Sequence, residues 1–503
     1  MTARRRLATL TALAVLVAGC GWGGGGTAGA PSAGGKPAGL TAAGTYSVES
    51  LDPHGPAGAS AGTQLAAQAI FSRLVRPGAD GSVTGDLATR WTSGDGATTW
   101  TFTLREGVTF SDGSPLTAQD VVASFDRVRE LKGPVAGNFP DTEVSAPSDR
   151  EVVFTSRTPN AAILGKLTQF YVVPAKAGDG FFGAPVGSGP FTVTSFTPGE
   201  SLELAPNRRH WNGAPTLGRL TVKNIPELSA RLTALRTGEV QVVWGIPDDQ
   251  LPPLKSDPSV TVQAVPGTAV FTMWFNSRTP ALKDAAVRRA LWQAVDFKKI
   301  ISSLYPETGT PADSVVAPTV LGHAPQPPVP HDPDGARAAL AAAGFDFAKP
   351  LRLQFSGAEF RQFVQAVASD LDAIGVKTDV REKEPAVFLE DLLALKWDVN
   401  FQQLATPTRD AATNLGRLYP CAAGRNGYCN EDLDALLAKA EATDDTAERE
   451  RFYAGAIAIT WNDAVGMYPM FVKVPYAWRQ GVNGLVLDPS GLPDFSKVTV
   501  NPS

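Results

Sequence analysis

A helix, a glycine and a strand follow one another twice in this chain, and this succession restricts it to mixed α/β folds. Leucines at 228, 232 and 235 mark one apolar helical stripe, which Gly238 can end in the left-handed conformation before the strand-like run VQVV at 240–243. A second apolar helical stripe spans 360–374, and Gly375 can end that helix. Apolar and polar residues then alternate at 376–380, as in a strand. Each succession predicts one helix-and-strand unit of an α/β sheet.

The stretch from Trp100 to Val128 predicts a strand, a tight turn and a capped helix. Apolar and polar side chains alternate from Trp100 to Arg105, which is the pattern of a strand with one buried face. The turn-forming run SDGSP follows at 111–115. Thr117 can then cap a helix in which Asp120, at the third position, lies near the positive end of the helix dipole.

This stretch also carries a specific literal pattern. Residues 104–121 read LREGVTFSDGSPLTAQDV, which resembles the hallmark LR-x-G-V-x-F-x-DG-x-P-x-TA-x-DV of a family of solute-binding proteins. These are the receptors of ATP-driven peptide importers, the peptide/nickel (oligopeptide and dipeptide) binding family. The likeness extends over nearly all of 51–485, through VGSGPF at 186–191, NRRHW at 207–211, and a segment with Asn276, Asp284, Arg288 and Asp296. Gln241 stands where the family usually has aspartate, a departure expected to affect local packing only.

The resemblance implies an α/β, two-lobe periplasmic-binding-protein fold. It is of class II type, in the large peptide-binding subclass with an extra subdomain, and its ligand lies in the cleft between the lobes. We accordingly assign 45–270 plus 477–503 to lobe I, with the extra subdomain at about 61–171, and 271–476 to lobe II. A chain of 503 residues, 43% of them hydrophobic, is long enough for two or three such units.

The N-terminus has the layout of a cleaved bacterial export signal. Three arginines precede an apolar run from Leu7 to Val17, which is too short to span a bilayer permanently. Residues 17–20 (VAGC) are similar to a lipobox, in which the sulfur of Cys20 is lipidated and becomes the mature N-terminus. We therefore expect a lipoprotein signal peptide at 1–19 and an extracytoplasmic, lipid-anchored protein; an ordinary signal peptide with an incidental cysteine is the alternative.

Residues 20–44 are rich in Gly, Ala, Ser and Pro and predict a flexible, disordered tether.

The formal net charge of −5 becomes −8 when the three arginines of the signal are removed. This acidic balance, without a basic patch, argues against nucleic acid as a partner.

Cys421 and Cys429 remain after the lipobox cysteine, and in an oxidising compartment a close pair predicts a disulfide. Residues 421–440 also resemble the disulfide loop and following helix of dipeptide-binding members of the family. A redox or metal role is the alternative, although the segment contains no histidine.

Motifs for catalysis or cofactor binding are few. GASAG at 58–62 fits the G-x-S-x-G elbow of serine hydrolases, with Ser60 as nucleophile, but no strand-like run precedes it. The G-x-G-x-x-G pattern at 21–26 lacks a preceding strand and a following helix. The four histidines show no i, i+3 or i, i+4 pairing. The sequence therefore predicts no enzyme, no cofactor and no metal site.

Seven residues are candidates for ligand contact: Trp274, Asn276, Gln402, Thr406, Arg409, Asp410 and Trp461. The two tryptophans could stack on a ligand or belong to the core. Arg409 could pair with a ligand carboxylate or be a solvated loop arginine. The family's amine-binding aspartate aligns with Pro407, with Asp410 nearby, and this departure argues against a dipeptide with a free amine.

The resemblance implies a monomeric receptor that captures a peptide and delivers it to an ABC permease, whose associated ATPase supplies the energy. Two alternatives keep the fold: a non-peptide solute such as an oligosaccharide, an opine or a metal chelate, or a sensory role without import. An exported hydrolase that uses Ser60 is a third alternative.

Overall fold

The computed structural model of the chain describes residues 38–78, 81–94, 96–178 and 180–501. Pro37–Ser503 forms one compact unit. The predicted signal peptide, the lipidation site Cys20 and the tether up to residue 37 lie outside the described residues. Within the described ranges, no helix has both the length and the apolar character that crossing a membrane requires.

The strands, in chain order, are β1 (Gly39–Gly44), β2 (Ser72–Arg73), β3 (Val75–Pro77), β4 (Val83–Gly85), β5 (Ala88–Gly94), β6 (Thr99–Leu104), β7 (Thr142–Ser148), β8 (Glu151–Ser156), β9 (Tyr171–Val172), β10 (Phe191–Thr197), β11 (Ser201–Pro206), β12 (Arg219–Asn224), β13 (Val242–Trp244), β14 (Val260–Phe275), β15 (Gly309–Pro311), β16 (Leu351–Phe355), β17 (Thr378–Glu382), β18 (Val399–Ala405), β19 (Gly466–Met467), β20 (Met470–Arg479), β21 (Val482–Asn483) and β22 (Thr499–Val500).

The α-helices are α1 (Ala61–Ile70), α2 (Ala118–Leu131), α3 (Ile163–Leu167), α4 (Leu228–Thr237), α5 (Leu251–Lys255), α6 (Ala285–Gln293), α7 (Phe297–Leu304), α8 (Pro333–Ala342), α9 (Arg361–Ala373), α10 (Pro385–Leu393), α11 (Leu415–Leu418), α12 (Glu431–Glu441) and α13 (Thr446–Asn462). Short 3-10 helices lie at Pro134–Asn138, Phe181–Gly183, Asp248–Gln250, Pro280–Leu282, Ala358–Phe360, Ala411–Thr413 and Cys421–Ala423.

One large mixed sheet runs through the molecule. Its strand order is β10-β11-β12-β1-β13-β20-β14-β18-β16-β17, with β15 paired to β20 and β19 paired to β14. A separate four-stranded sheet has the order β5-β6-β8-β7. Strand pairs β2-β9, β3-β4 and β21-β22 complete the described sheets.

Four hydrophobic cores pack against these sheets. Core A spans Val270–Phe471 and includes Ala162, and core B spans Leu74–Val172 around the four-stranded sheet. Cores C (from Leu40 to Val498) and D (from Ala43 to Ala477) lie on opposite faces of the strands around β1. Neighbouring residues of β1 enter different cores because successive side chains of a strand point to opposite faces.

The predicted tether is wrong from residue 39 onward. Gly39–Gly44 forms β1, which pairs in parallel with β12 over its whole length and with β13 at Ala42 and Ala43. The side chain of Gln241 accepts a hydrogen bond from the Thr41 N–H at 2.7 Å. Small residues indicated a linker, yet here they permit close packing, since Ala42 and Ala43 are fully buried. The large sheet therefore includes residues before 45.

Local predictions from the sequence are confirmed elsewhere. Strand β6 alternates buried and half-buried residues, and the Asp120 carboxylate accepts the Thr117 N–H at 2.8 Å at the start of α2. Gly238 ends α4 with φ of 82°. Ser60 caps α1 by accepting the Thr63 N–H at 3.3 Å, which gives the supposed nucleophile a structural role. Cys421 and Cys429 form the predicted disulfide.

Strands β14 and β20 connect the cores. Val260 at the start of β14 belongs to core D, while Phe271 further along the strand belongs to core A. Strand β20 runs antiparallel to it, from Met470 in core A to Ala477 in core D. Their register shifts between Pro266 and Ala269, a bulge at the point where both strands leave one core for the other. The two strands therefore form a bulged connection that can act as a hinge.

A buried histidine makes the stability of the fold sensitive to acid. His54 is fully buried, stacks on Phe170 and donates from Nε2 to the Tyr171 carbonyl at 2.8 Å. Burial lowers the pKa of His54 from 6.5 to about 4. Between those values the unfolded chain binds a proton that the folded chain does not, so stability falls as the pH falls.

We expect His54→Gln to reduce this acid sensitivity. Between pH 7.5 and pH 5, the free energy of unfolding should fall by about 2 kcal/mol more in the native chain than in the variant. Urea unfolding at the two pH values measures this difference. The matched control is His331→Gln, which changes a histidine whose side chain is 39% exposed. Identical pH dependence of the His54 variant and the native chain would contradict the expectation.

Candidate functional site

A cleft of about 520 Å³ lies beside β14 and β20 where they pass between the cores. One wall comes from Thr45 and the segment 245–249, next to cores C and D. The opposite wall comes from core A, through Phe271, the segment 304–308 and the segment 359–362. Gln403 on β18 and Lys473 on β20 complete the lining. This space, the central cleft, is therefore bounded by residues from both sides of the connecting strands.

An aromatic group forms part of the core A wall. Phe271 lies with its ring centroid 5.5 Å from that of Tyr305 and 5.7 Å from that of Phe360, both edge-on. Burial, with smaller contributions from the nearby carboxylates Asp248 and Glu359, raises the pKa of Tyr305 to about 12. The phenol therefore keeps its proton at neutral pH and can donate a hydrogen bond to a molecule in the cleft.

Asp248 connects the two walls. Its carboxylate accepts hydrogen bonds from the Thr308 N–H and from the Thr308 hydroxyl, both at 2.7 Å, and from the Glu307 N–H at 3.1 Å. Lys255 also pairs with Glu307 between the same segments. These contacts hold Asp248 against Thr308. They do not involve the polar side chains of Gln403, Tyr305, Glu359 and Lys473, which also line the cleft.

Several cleft side chains have no hydrogen-bond or ion-pair partner among the described residues. They are the amide of Gln403, the hydroxyl of Tyr305, the carboxylate of Glu359 and the ammonium of Lys473. Both hydrogen-bond donors and acceptors thus face one open cleft with an aromatic wall. A cavity of this size, with a few polar groups among apolar ones, is typical of small-molecule sites.

A second cavity continues along β18. Ala405 lies two residues after Gln403, on the same face of the strand, and lines a space of about 410 Å³. The other lining residues include Gln64 of α1, Asn138, Gln169 and Arg417. The central cleft and this second cavity lie side by side along one strand face.

The two candidate tryptophans are buried in core A. Trp274 is 1% exposed and donates from its indole nitrogen to the Tyr419 hydroxyl at 2.9 Å. Trp461 is 2% exposed, stacks on Tyr468 and donates to the Pro327 carbonyl at 3.0 Å. Trp461 does line a separate cavity of about 440 Å³. Neither ring faces the central cleft.

Three further candidates form hydrogen bonds or packing contacts within the protein. The Asn276 amide donates to the Trp397 carbonyl at 2.8 Å and to the Leu395 carbonyl at 3.1 Å. Thr406 is buried and its hydroxyl accepts from the Asn414 amide at 3.0 Å. Gln402 lies opposite Thr272 in the β14-β18 pair, and its Nε2 is buried without a partner among the described residues.

Arg409 and Asp410 are brought together at another cavity, of about 400 Å³, between core B and core A. Arg409 is 2% exposed and pairs with Asp488 at 2.6 Å. Asp410 pairs with the buried Arg449 at 2.8 Å and accepts from the Tyr453 hydroxyl at 3.1 Å. The charges of both candidates are thus compensated by other protein groups.

Sequence analysis missed the residues of the central cleft. Tyr305, Glu359 and Gln403 come from segments more than forty residues apart, and no motif joins them. The one local signal is a pair of neighbouring glutamines in β18, Gln402 and Gln403. The sequence analysis therefore chose the right strand but the wrong glutamine: Gln403 lines the central cleft, and its neighbour Gln402 points to the opposite face of β18.

A family model described as bacterial extracellular solute-binding proteins, family 5 middle, matches residues 82–426. The chain is a family 5 solute-binding protein. Such proteins are transport components without catalytic activity, which confirms that the chain is not an enzyme. It captures a small solute outside the cytoplasm as the binding component of an ABC importer.

Individual relatives are similar over most of their length. A probable D,D-dipeptide-binding periplasmic protein of Escherichia coli K12 is 28% identical, over 83% of this chain and 86% of the relative. Heme-binding protein A of Haemophilus influenzae is 26% identical, over 86% of this chain and 87% of the relative. The structure of HbpA2 from Haemophilus parasuis has a TM-score of 0.83 at 24% identity, and covers 92% of this chain and all of that chain.

These likenesses confirm the two-lobe fold of this family 5 protein. Strands β14 and β20 run between core D and core A, and the central cleft lies beside them. Among the described residues, no group of three or more His, Cys, Asp or Glu side chains is placed to hold a metal ion.

Proposed function

We propose that the central cleft binds a peptide and that the second cavity along β18 accommodates its further residues. One observation carries this proposal: donors and acceptors that have no partner among the described residues face a single space beside β14 and β20, namely Gln403, Tyr305, Glu359 and Lys473. A peptide presents the matching amide donors and acceptors along its length. Each buried peptide group needs such a partner, because an unpaired one is costly.

Closure of the lobes supplies the mechanism of capture. A ligand that contacts both walls stabilises the closed state by its difference in affinity for the two states. Strands β14 and β20 provide the hinge for this motion, with the bulge at 266–269 as the flexible point. Lobe I comprises 38–270 plus 477–503, and lobe II comprises 271–476.

The charges of the central cleft suggest a ligand with a cationic group. Asp248, Asp249 and Glu359 line it together with one lysine, Lys473. Asp248 is already held by the backbone at 307–308, and the Asp249 carboxylate accepts from the Gln250 amide at 2.9 Å, so Glu359 is the carboxylate that remains for the ligand. The amino terminus of a peptide is such a cation, although Pro407 replaces the aspartate expected by family resemblance.

The same fold could instead hold a non-peptide solute. The similarity to a heme-binding protein of Haemophilus influenzae supports this second candidate, as does the aromatic wall at Phe271. The lipid anchor at Cys20, a membrane permease with its ATPase as partner and a monomeric state belong to the proposal, and rest on the sequence and on family membership.

Native mass spectrometry tests the peptide proposal. The chain from Pro37, unfolded and refolded to remove any carried ligand, is mixed with a pool of di- to pentapeptides. We expect retention of defined peptides, and we expect Gln403→Ala to weaken their binding about tenfold because it removes hydrogen bonds that the closed cleft requires.

The matched control is Gln263→Ala, an exposed glutamine of β14 that does not line the central cleft. Its affinity for the retained peptides should equal that of the native chain. If no peptide is retained while another small molecule co-purifies with the native chain, the peptide proposal is wrong and the non-peptide alternative stands.

A further inference from the structure

Arg409 joins three segments that belong to different parts of the fold. One terminal nitrogen of its guanidinium contacts both carboxylate oxygens of Asp488 at 2.6 Å. The other terminal nitrogen donates to the carbonyl of Gly78. Gly78 directly follows β3 of core B, Asp488 follows Leu487, which packs on core C, and Arg409 precedes Ala411 of core A. A single side chain thus connects lobe II to lobe I at two places.

Both partners of this ion pair are held in place from their own side. The Tyr476 hydroxyl donates to the Asp488 carbonyl at 2.6 Å, and the Ser490 N–H donates to the Asp488 carboxylate at 2.7 Å. On the other lobe, the Leu321 N–H donates to the Arg409 carbonyl at 2.9 Å. Because each group is fixed before they meet, the pair forms only when the two lobes adopt the arrangement seen here.

Burial makes the lobe arrangement seen here sensitive to the loss of either partner. Arg409 is 2% exposed, whereas Asp488 is 23% exposed. Without the carboxylate, the guanidinium would stay charged and buried in this arrangement, while lobes that move apart would let water solvate it. A buried charge that loses its partner is strongly destabilising, so this arrangement alone would be penalised.

We propose that the lobe arrangement seen here is the closed one, and that Arg409 is a positioning residue for solute binding, which stabilises this arrangement through Asp488 and Gly78 from outside the central cleft. The inference rests on the proposed capture by lobe closure and goes beyond it by assigning a residue that shifts the closing equilibrium. Arg409 does not line the central cleft, and its charge is already paired. It therefore acts on affinity through the population of the closed state and makes no contact with a solute carboxylate.

The experiment measures closure without any solute. Spin labels are attached to the chain from Pro37 through Thr233→Cys on α4 and Glu390→Cys on α10, one exposed position on each lobe. The native cysteines in this form are joined in the disulfide, so only the introduced ones are labelled. Electron–electron distance measurements then give the fraction of molecules at the closed separation.

We expect Asp488→Asn to reduce the ratio of closed to open molecules by about 100-fold. The matched control is Asp379→Asn, which breaks an ion pair with Arg381 whose side chains are 39% and 44% exposed, and which should leave the distances unchanged. Removing both charges with Arg409→Met and Asp488→Leu together should restore part of the closed population, because no buried charge is left unpaired.

Equal distance distributions in the native chain and the Asp488→Asn variant would overturn the proposal. If Asp488→Asn proves unfolded by circular dichroism, Arg409→Lys replaces it; the lysine keeps the charge but cannot reach both partners in the same geometry. A closed fraction unchanged by that variant would equally overturn the proposal. Since no solute is added, failure of the peptide proposal leaves this test intact.

Discussion

A chain that begins at Thr45 is expected to fail to fold, whereas a chain that begins at Pro37 folds. The eight residues between these two starts include β1, which lies in the middle of the large sheet between β12 and β13. Its loss would leave two strands with unpaired backbone groups inside the protein. It would also remove Leu40, Ala42 and Ala43 from two cores at once, and buried backbone groups without partners are costly.

Far-UV circular dichroism and thermal unfolding distinguish the two forms. The form from Pro37 should unfold in a cooperative transition, and the form from Thr45 should show reduced secondary structure and no such transition. A form from Gly39 serves as the matched control, because it shortens the chain but keeps β1. Cooperative unfolding of the Thr45 form at the midpoint of the Pro37 form would show that β1 is dispensable.

Asp410→Asn is expected to destabilise the folded chain by about 3–5 kcal/mol. Asp410 is 4% exposed and compensates the charge of Arg449, which is 5% exposed. The nearby carboxylates raise the pKa of Arg449 against the opposing effect of burial, so the guanidinium stays charged. The variant therefore leaves a buried cation without its closest anion. Urea unfolding at pH 7.5 measures the change in free energy.

Two comparisons separate this cost from a role in ligand binding. The exposed pair Asp379–Arg381 gives the control, since Asp379→Asn should change stability by no more than about 1 kcal/mol. Asp410→Asn combined with Arg449→Met should recover much of the loss, because neither charge remains buried. If Asp410→Asn left stability unchanged but abolished peptide retention, Asp410 would be a ligand contact, as the sequence resemblance had suggested.

Local elements were predictable because their determinants lie within a few residues. The carboxylate of Asp120 reaches the N–H of Thr117 three positions earlier, and Gly238 ends α4 by its own backbone conformation. The same holds for the cap of α12, where the Asn430 side chain accepts from the Asp432 and Leu433 N–H groups. Such contacts form in any fold that contains the segment.

The predictions that failed concern residues whose structure depends on distant parts of the chain. Residues 39–44 carry small side chains that fit a linker as well as a tightly packed strand, and only the neighbouring strands β12 and β13 decide between the two. From the sequence, Trp274 could stack on a ligand or belong to the core. The structure places it in the core, where its indole N–H donates a hydrogen bond to Tyr419, 145 positions away.

The sequence by itself determined the family, the α/β class, the disulfide and the local elements, because these follow from literal motifs and short-range hydrogen bonding. Only the tertiary structure decided which polar groups remain free in the central cleft and which are paired. Arg409 and Asp488 lie 79 positions apart, and no sequence pattern near either residue predicts that they pair. Their pairing depends on the order of strands in the sheet, which sets the lobes face to face and thereby selects the partners of every buried charge.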